Sequence, residues 1–450
     1  TMSKDIRIKK GLDIKLVGEA EKTTTDISLS SVYAIKPEDF HGITPKLMAK
    51  EGAVVKAGQS LFYSKSDERI LFPSPVSGKV VEVVRGARRK VLAIKIAADA
   101  KNEHVDFGVK KPSEMTAEEV KTHMFTSGCW PFVKQRPYDV VANPNQAPKA
   151  IFISAYASAP LAADLTYTLQ GKDLEIKTAL AALSKLTEGK VHVSVGKNET
   201  TVFDGVEGIE LHKVSGPHPS GNVGTQIAKI DPINKGEVVW TVNPIDLVVI
   251  GELFLTGRFN ISRTIALTGS KINKPQYVTA IAGATISDVV KGNLENDNTR
   301  VISGNVLTGT QVEEDGFLGY YDNQITAIPE GDDYEFFGWN KPVFDKISPS
   351  RALTFSWLNP NKKYDLTTNT NGEHRAFVVT GSYENVFPLD IYPMQLLKAF
   401  MYKDLDEMEA LGGYEVAPED FALTEFICVS KQPHQKIIRE GLDLMREELG

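Results

Sequence analysis

The feature that most constrains this chain is a change of hydrophobic grammar near Pro148. Between about Ala53 and Ile96, short β-rich runs are separated by glycine and proline punctuation, the pattern of a small all-β module. From Pro148 onward, apolar strand-like runs alternate with segments of helical spacing. A repeat of two and a repeat of 3.6 residues cannot share one continuous element, so the two regions must build different layers. Short β runs return between Thr264 and Ile328, and the last part of the chain is helical. At 450 residues there is chain for more than one core. The expected units are 1–100, 101–257, 258–330 and 331–450, in an α/β multidomain protein.

The first module has two similar halves, one with the pattern V-x-x-G-Q-x-L from Val55 to Leu61 and one with P-x-x-G-x-V-x-x-V from Pro75 to Val83. Paired strand–turn–strand halves of this kind resemble the lipoyl/biotinyl barrel-sandwich module. Ala150-Ile151-Phe152-Ile153-Ser154 opens the α/β region, a helix is expected from near Pro160 to Gly171, and Leu180, Leu183 and Leu186 mark a second helix ending at Gly189. Val191 to Val195 is the next strand, and the β–α–β rhythm predicts a parallel sheet covered by helices to about Gly257. Strands at Thr264–Thr268, Gln276–Ile281 and Arg300–Ile302, with a short helix at Thr285–Val290, read as a β-grasp module of the SLBB type. Leu396, Leu397, Phe400, Met401, Leu405, Met408 and Leu411 form one apolar stripe before Gly412-Gly413, and Ile437 to Leu449 forms another.

Composition excludes several classes. Lys and Arg number 51 against 58 Asp and Glu, a net charge of −7, whereas a dedicated nucleic-acid protein needs a basic surface. Two cysteines, Cys129 and Cys428, cannot supply a four-cysteine zinc site or a four-thiolate iron–sulfur cluster, and both read as buried inert thiols. The start, Thr1-Met2-Ser3-Lys4-Asp5, lacks the apolar core of a secretory signal. The most apolar stretch, Val238 to Leu255, is broken by Asn243, Pro244, Asp246 and Glu252 and falls short of the roughly 20 apolar residues of a membrane span. A cytoplasmic protein is expected, with any membrane link through a partner.

Few motifs carry chemistry. Lys65 lies near the turn between the two barrel halves, where carrier domains present a modified lysine, but Tyr63-Ser64-Lys65-Ser66-Asp67 lacks a carrier recognition sequence and reads as a loop. Arg85, Arg88 and Arg89 make the densest basic run, suited to docking on phosphate or carboxylate groups or to solvation as a hairpin tip. The loop from Gly216 to Thr225, with Gly216, His218, Gly221 and Gly224, could bring backbone N–H groups to a phosphate. Neither G-x-G-x-x-G nor G-x-x-x-x-G-K-[ST] occurs. The eight histidines show no metal-ligand spacing, no G-x-S-x-G elbow is present, and no catalytic residue is assigned.

In common order, these segments resemble the A-subunit family of bacterial sodium-translocating NADH:quinone oxidoreductases (Na+-NQR). The resemblance is carried by Ile8-Lys9-Lys10-Gly11-Leu12-Asp13, Pro75-Val76-Ser77-Gly78, Arg85-Gly86-Ala87-Arg88-Arg89 and Ser127-Gly128-Cys129-Trp130-Pro131-Phe132 with Arg136-Pro137. It continues through Ala159 to Asp164, Gly216 to Thr225, Ile302 to Leu307, Gly381 to Glu384 and Phe387 to Ile391. It implies an α/β domain like the flavin-binding subunit of respiratory complex I. It further implies a polypeptide on the cytoplasmic face of the bacterial inner membrane, docked on integral-membrane flavin-carrying subunits. In such a complex FMN, FAD, riboflavin and Fe–S centres sit on the partners, quinone is a candidate ligand, and this chain has an accessory or quinone-side role with no cofactor or redox centre of its own. Where many members read G-T-H-I-H, this chain has Gly224-Thr225-Gln226-Ile227-Ala228, and where many have A-L-C it has Ala422-Leu423-Thr424. A free-standing FMN-binding dehydrogenase and a soluble carrier or ligand-binding protein are the alternative readings.

Overall fold

A computed structural model describes residues 3–295, 297–331, 333–338, 341, 344–350 and 353–450. The N-terminal β module is a sandwich of two sheets. One sheet holds Val32–Ile35, Val91–Ala98, Gly78–Arg85 and Val54–Val55, and the other holds Pro45–Leu47, Ser60–Ser64 and Leu71–Pro73. Alternate side chains point inward, and Phe62 stacks on Phe72 at 4.5 Å with Phe40 4.4 Å from Phe72. All three rings are buried, each contributing about 2 kcal/mol by removal from water.

The α/β region is a seven-stranded sheet in the order Asp5–Arg7, Ile209–Ser215, Lys190–Gly196, Ala150–Ala155, Val239–Val242, Val133–Arg136, Val140–Val141. The first five strands are parallel, Val133–Arg136 runs antiparallel to them, and Val140–Val141 pairs antiparallel with Val133–Arg136 as a hairpin. Helices Asp173–Leu183 and Pro244–Thr256 pack together with Ile151 and Ile153, while Val223–Ile230 packs against Ala150 and Phe152. Successive side chains of one strand thus enter opposite cores, which is why Ala150 to Ile153 is apolar without alternation. The helix expected from Pro160 is only Leu165–Thr168. Leu161 adopts a left-handed φ of 56°, and the Asp164 carboxylate accepts the Tyr167 N–H at 2.9 Å, so the helix starts at that cap.

The third region is a six-stranded mixed sheet in the order Thr310–Val312, Thr299–Ser303, Gln324–Pro329, Ser262–Thr268, Gln276–Ile281, Glu21–Asp26, with the short helix Ile286–Val289. The beginning of the chain is shared out among other units. Asp5–Arg7 closes the edge of the α/β sheet, Glu21–Asp26 pairs with Gln276–Ile281, and Ile14 and Leu16 enter the helical core. The expected unit 1–100 counts an N-terminal segment beside the barrel sandwich, and in that segment Ile6 and Ile8 are both buried at the edge of the α/β sheet.

The C-terminal core contains Leu396, Leu397, Phe400, Phe421, Ile438 and Leu442. Its helices are Tyr383–Val386, Pro393–Tyr402, Leu405–Ala410, Ala422–Phe426 and His434–Leu449. Residues 331–382 hold no α-helix among the described residues, so the expected helical region begins only at Tyr383. The stripe from Leu396 to Leu411 is two helices rather than one. Lys403 turns left-handed at φ 58°, and the Asp404 side chain accepts the Glu407 N–H at 3.2 Å to start the second. Among the described residues no helix is long and apolar enough to cross a membrane, and Val238 to Leu255 is a strand followed by the Pro244–Thr256 helix.

Candidate functional site

In the α/β sheet the chain runs outward from Ala150–Ala155 through Lys190–Gly196 to Ile209–Ser215, then crosses back to place Val239–Val242 on the other side of Ala150–Ala155. Open parallel sheets bind ligands in the crevice outside the strand C-termini at such a reversal. A cavity of about 300 Å³ lies there. Tyr156 and Ser158 follow one strand into its wall, and Asn243 and Asp246 follow the other. The antiparallel hairpin adds Lys134 and Asp139, the third region adds Tyr321 and Asn323, and the helical region adds Glu419. The walls offer more polar than apolar surface, so the site suits hydrogen-bonding ligands more than a hydrocarbon tail.

One buried charge cluster ties the cavity to the C-terminal core. Arg136, 1% exposed, donates from Nη1 to Asp420 Oδ2 at 2.8 Å and from Nη2 to Glu419 Oε1 at 2.7 Å. Asp420 Oδ2 also accepts the Ala417 N–H at 2.9 Å. Loss of bulk water pushes the Glu419 carboxyl above its ordinary range and Asp420 adds to this, with Arg136 pulling against both. A second buried pair lies at Asp246, whose carboxylate is 3.3 Å from Arg263 Nη2. Burial pushes Asp246 up to about 6, and Arg263 opposes the shift. Burial acts on Asp139 as well, but there Lys134, Arg136 and Arg439 outweigh it and hold the carboxyl below its usual range.

Of the glycine-rich loop, Gly221 reaches the cavity wall, while Gly216, His218 and Gly224 lie outside its lining. The N–H groups of His218, Ser220, Gly221 and Asn222 donate to Asp13 Oδ1, Pro217 O, Ser158 Oγ and Pro219 O, at 2.8–2.9 Å. These four donors are used within the fold, while the helix Val223–Ile230 that follows carries no side-chain cap on its first N–H groups. The glycines answer to packing: a Cβ on Gly221 would lie 2.5 Å from Tyr156 O, one on Gly216 2.3 Å from Ile8 O, and one on Gly224 2.5 Å from both Arg136 Nη1 and Asp420 Oδ1. His218 is buried with Nδ1 3.0 Å from Ser158 Oγ, and burial lowers its imidazole to about 4, so it is neutral at pH 7.

Arg85, Arg88 and Arg89 sit together on the exposed tip between Gly78–Arg85 and Val91–Ala98, away from the cavity. Arg85 donates to Arg89 O at 3.2 Å, and none of the three makes an ion pair among the described residues. Lys65 is exposed on the hairpin after Ser60–Ser64, its N–H donating to Thr44 O at 2.8 Å. Cys129 and Cys428 are both buried. Burial pushes the Cys129 thiol up to about 12, and Cys428 Sγ accepts the Tyr383 hydroxyl at 2.8 Å. No group of three or more metal-ligating side chains occurs among the described residues. Sequence reading missed Lys134, Asp139, Asp246 and Glu419. In the sequence Asp246 is only a break in an apolar run, and no spacing links Lys134, Asp139 and Asp246 of the α/β region with Glu419 of the helical region.

A sandwich joined to a switch-point α/β sheet and a β-grasp-like sheet defines a class of multidomain protein for which family models exist. The NqrA N-terminal barrel-sandwich hybrid domain matches residues 6–99, the NqrA second alpha/beta domain residues 115–259, and the NQRA C-terminal domain, of SLBB type, residues 264–314. Among curated proteins, the A subunit of the Na(+)-translocating NADH-quinone reductase of Neisseria meningitidis serogroup A is 38% identical over 98% of this chain and 100% of its own length. Those of Rhodopirellula baltica and Yersinia pestis are 36% and 34% identical over 98% of this chain, covering 98% and 100% of the relatives. The chain belongs to this NqrA family. Of solved structures, an NAD+-reducing NiFe hydrogenase in the air-oxidized state aligns with 71% of this chain and 62% of its own, at 10% identity and a TM-score of 0.35.

Proposed function

We propose that this protein is the peripheral NqrA component of a sodium-translocating NADH:quinone reductase, an enzyme complex in which it positions partners and carries no redox centre of its own. The observation that carries the reading is kinship along the whole chain, 38% identity over 98% of it, rather than over one module. In this reading FMN, FAD, riboflavin and Fe–S centres belong to the other subunits, quinone meets the assembly on the side of this chain, and the complex sits with this chain on the cytoplasmic face of the inner membrane. The four units 1–100, 101–257, 258–330 and 331–450, the likeness of the α/β domain to the flavin-binding subunit of complex I, and docking through Arg85, Arg88 and Arg89 are parts of the same proposal. The bonding of the His218, Ser220, Gly221 and Asn222 N–H groups within the fold favours it over an FMN-binding dehydrogenase.

The test is recovery of the tagged protein from its native membranes in mild detergent, with mass spectrometry of the co-purifying chains and an NADH:quinone assay on the eluate. Flavin-carrying membrane subunits and Na⁺-stimulated activity are the expected result. A colourless protein recovered without partners would overturn the reading.

A further inference from the structure

We propose that the switch-point cavity binds a free α-amino acid, with Lys134 receiving its carboxylate and Asp139 and Glu419 receiving its ammonium group. This is independent of membership in a larger complex and rests on how the charges around the cavity are spent. Arg136 is committed to Asp420 and Glu419, and Arg263 lies beside Asp246. Lys134 and Asp139 are different. Both line the cavity, and neither side chain makes an ion pair or a hydrogen bond among the described residues. The Lys134 ammonium rests on the face of Tyr321, 4.0 Å from the ring centroid, a contact that leaves its N–H donors free to reach a ligand. Asp139 is half-buried, and the surrounding cations Lys134, Arg136 and Arg439 favour its charged form. Lys134 and Asp139 balance each other only through space, with no direct contact, so a ligand that gives each a hydrogen-bonded partner of opposite charge is favoured.

The balance of charge selects among ligands. A simple anion would satisfy Lys134 but face Asp139 and Glu419. A simple cation would satisfy these carboxylates but leave Lys134 uncompensated. A zwitterion meets both at once, and charge-assisted hydrogen bonds at each end are the stronger kind. Asn222 Nδ2 already donates to Glu419 O and Asn243 Oδ1 already accepts the Ile245 N–H, which leaves Asn222 Oδ1, Asn243 Nδ2 and the Asn323 amide for a polar side chain, in a cavity of about 300 Å³ that suits a small molecule.

The experiment uses the purified full chain. The twenty standard amino acids are screened one by one for a rise in melting temperature, and any hit is measured by titration calorimetry. At least one amino acid is expected to bind. Its affinity should fall by about tenfold or more, the step equal to about 1.4 kcal/mol, in Lys134→Gln and in Asp139→Asn. The decarboxylated amine and the desamino acid of the same compound should each bind the parent protein at least about tenfold more weakly than the amino acid does. Lys134→Arg should retain binding. Circular dichroism and the unliganded melting curve establish that each variant is folded. The proposal is overturned if no amino acid shifts the melting curve, if folded Gln and Asn variants bind as the parent does, or if one of the singly charged analogues binds equally well. These readouts need no partner subunit, so their failure is distinct from a failed membrane recovery.

Discussion

Arg136 and Asp420 are 284 residues apart in the chain and meet at 2.8 Å, one from the antiparallel edge of the α/β sheet and the other from the turn Pro418–Phe421. Both side chains are almost wholly buried, so the pair fixes the C-terminal core against the sheet in a setting with no water to replace either partner. Removing one partner of such a pair costs about 3–5 kcal/mol, because the other charge stays buried. Asp420→Ala is therefore expected to lower stability by that amount in urea unfolding followed by circular dichroism, while Glu419→Gln, at the more open carboxylate, should cost less.

Gly224 sits against that same pair. A methyl group there would lie 2.5 Å from Arg136 Nη1, inside contact distance, so Gly224→Ala is expected to destabilise by roughly 1–3 kcal/mol. Because both changes act on one contact, the double variant with Asp420→Ala should lose less than the sum of the singles. Additive losses would show that the glycine serves some other purpose.

The buried histidines give stability a defined slope with pH. Burial lowers His123, His192, His218 and His434 to about 4 in the folded protein, against an ordinary value of 6.5. The unfolded chain then binds more protons than the folded one between these values, so stability is present above pH 6.5 and is lost as pH falls toward 4. Each group accounts for up to roughly 3 kcal/mol. Asp39 and Asp246, pushed up to about 6 by burial, act in the opposite sense and gain stability as pH falls below 6. The melting temperature is expected to drop most steeply per pH unit just below 6.5, and His218→Gln should flatten that drop in a pH series from 7.5 to 4.5.

Lys403 ends the Pro393–Tyr402 helix in a left-handed conformation, φ 58°, with its N–H donating to Ala399 O and Phe400 O. Glycine takes that conformation without the steric cost of a Cβ. Lys403→Gly is expected to stabilise the protein by roughly 0.5–1 kcal/mol, read as a higher melting temperature.

The elements legible in the sequence were those whose own residues state their environment. Ala150 to Ile153 is apolar without interruption because both of its faces are covered, and the glycine- and proline-punctuated runs before Ile96 could only be short strands. The helix expected from Pro160 failed because Asp164, not Pro160, supplies the cap, and a cap is invisible until the backbone commits to it. The cavity was less legible still. The Gly216–Gly224 loop advertised itself by composition, yet its glycines relieve close packing. The residues facing the cavity, from Lys134 to Glu419, are ordinary polar residues whose meaning comes from being brought together.

The shared-out beginning of the chain bears on how the protein is made. Asp5–Arg7 completes its pairing only with Lys213–Ser215, Glu21–Asp26 only with the Gln276–Ile281 strand, and Leu16 only with Tyr364. Contacts this distant in sequence slow folding, because a long loop must close before they form. As the chain leaves the ribosome, its opening residues have no place to settle while the barrel sandwich behind them can already close. The register of residues 5–26 is thus set by strands made hundreds of residues after them.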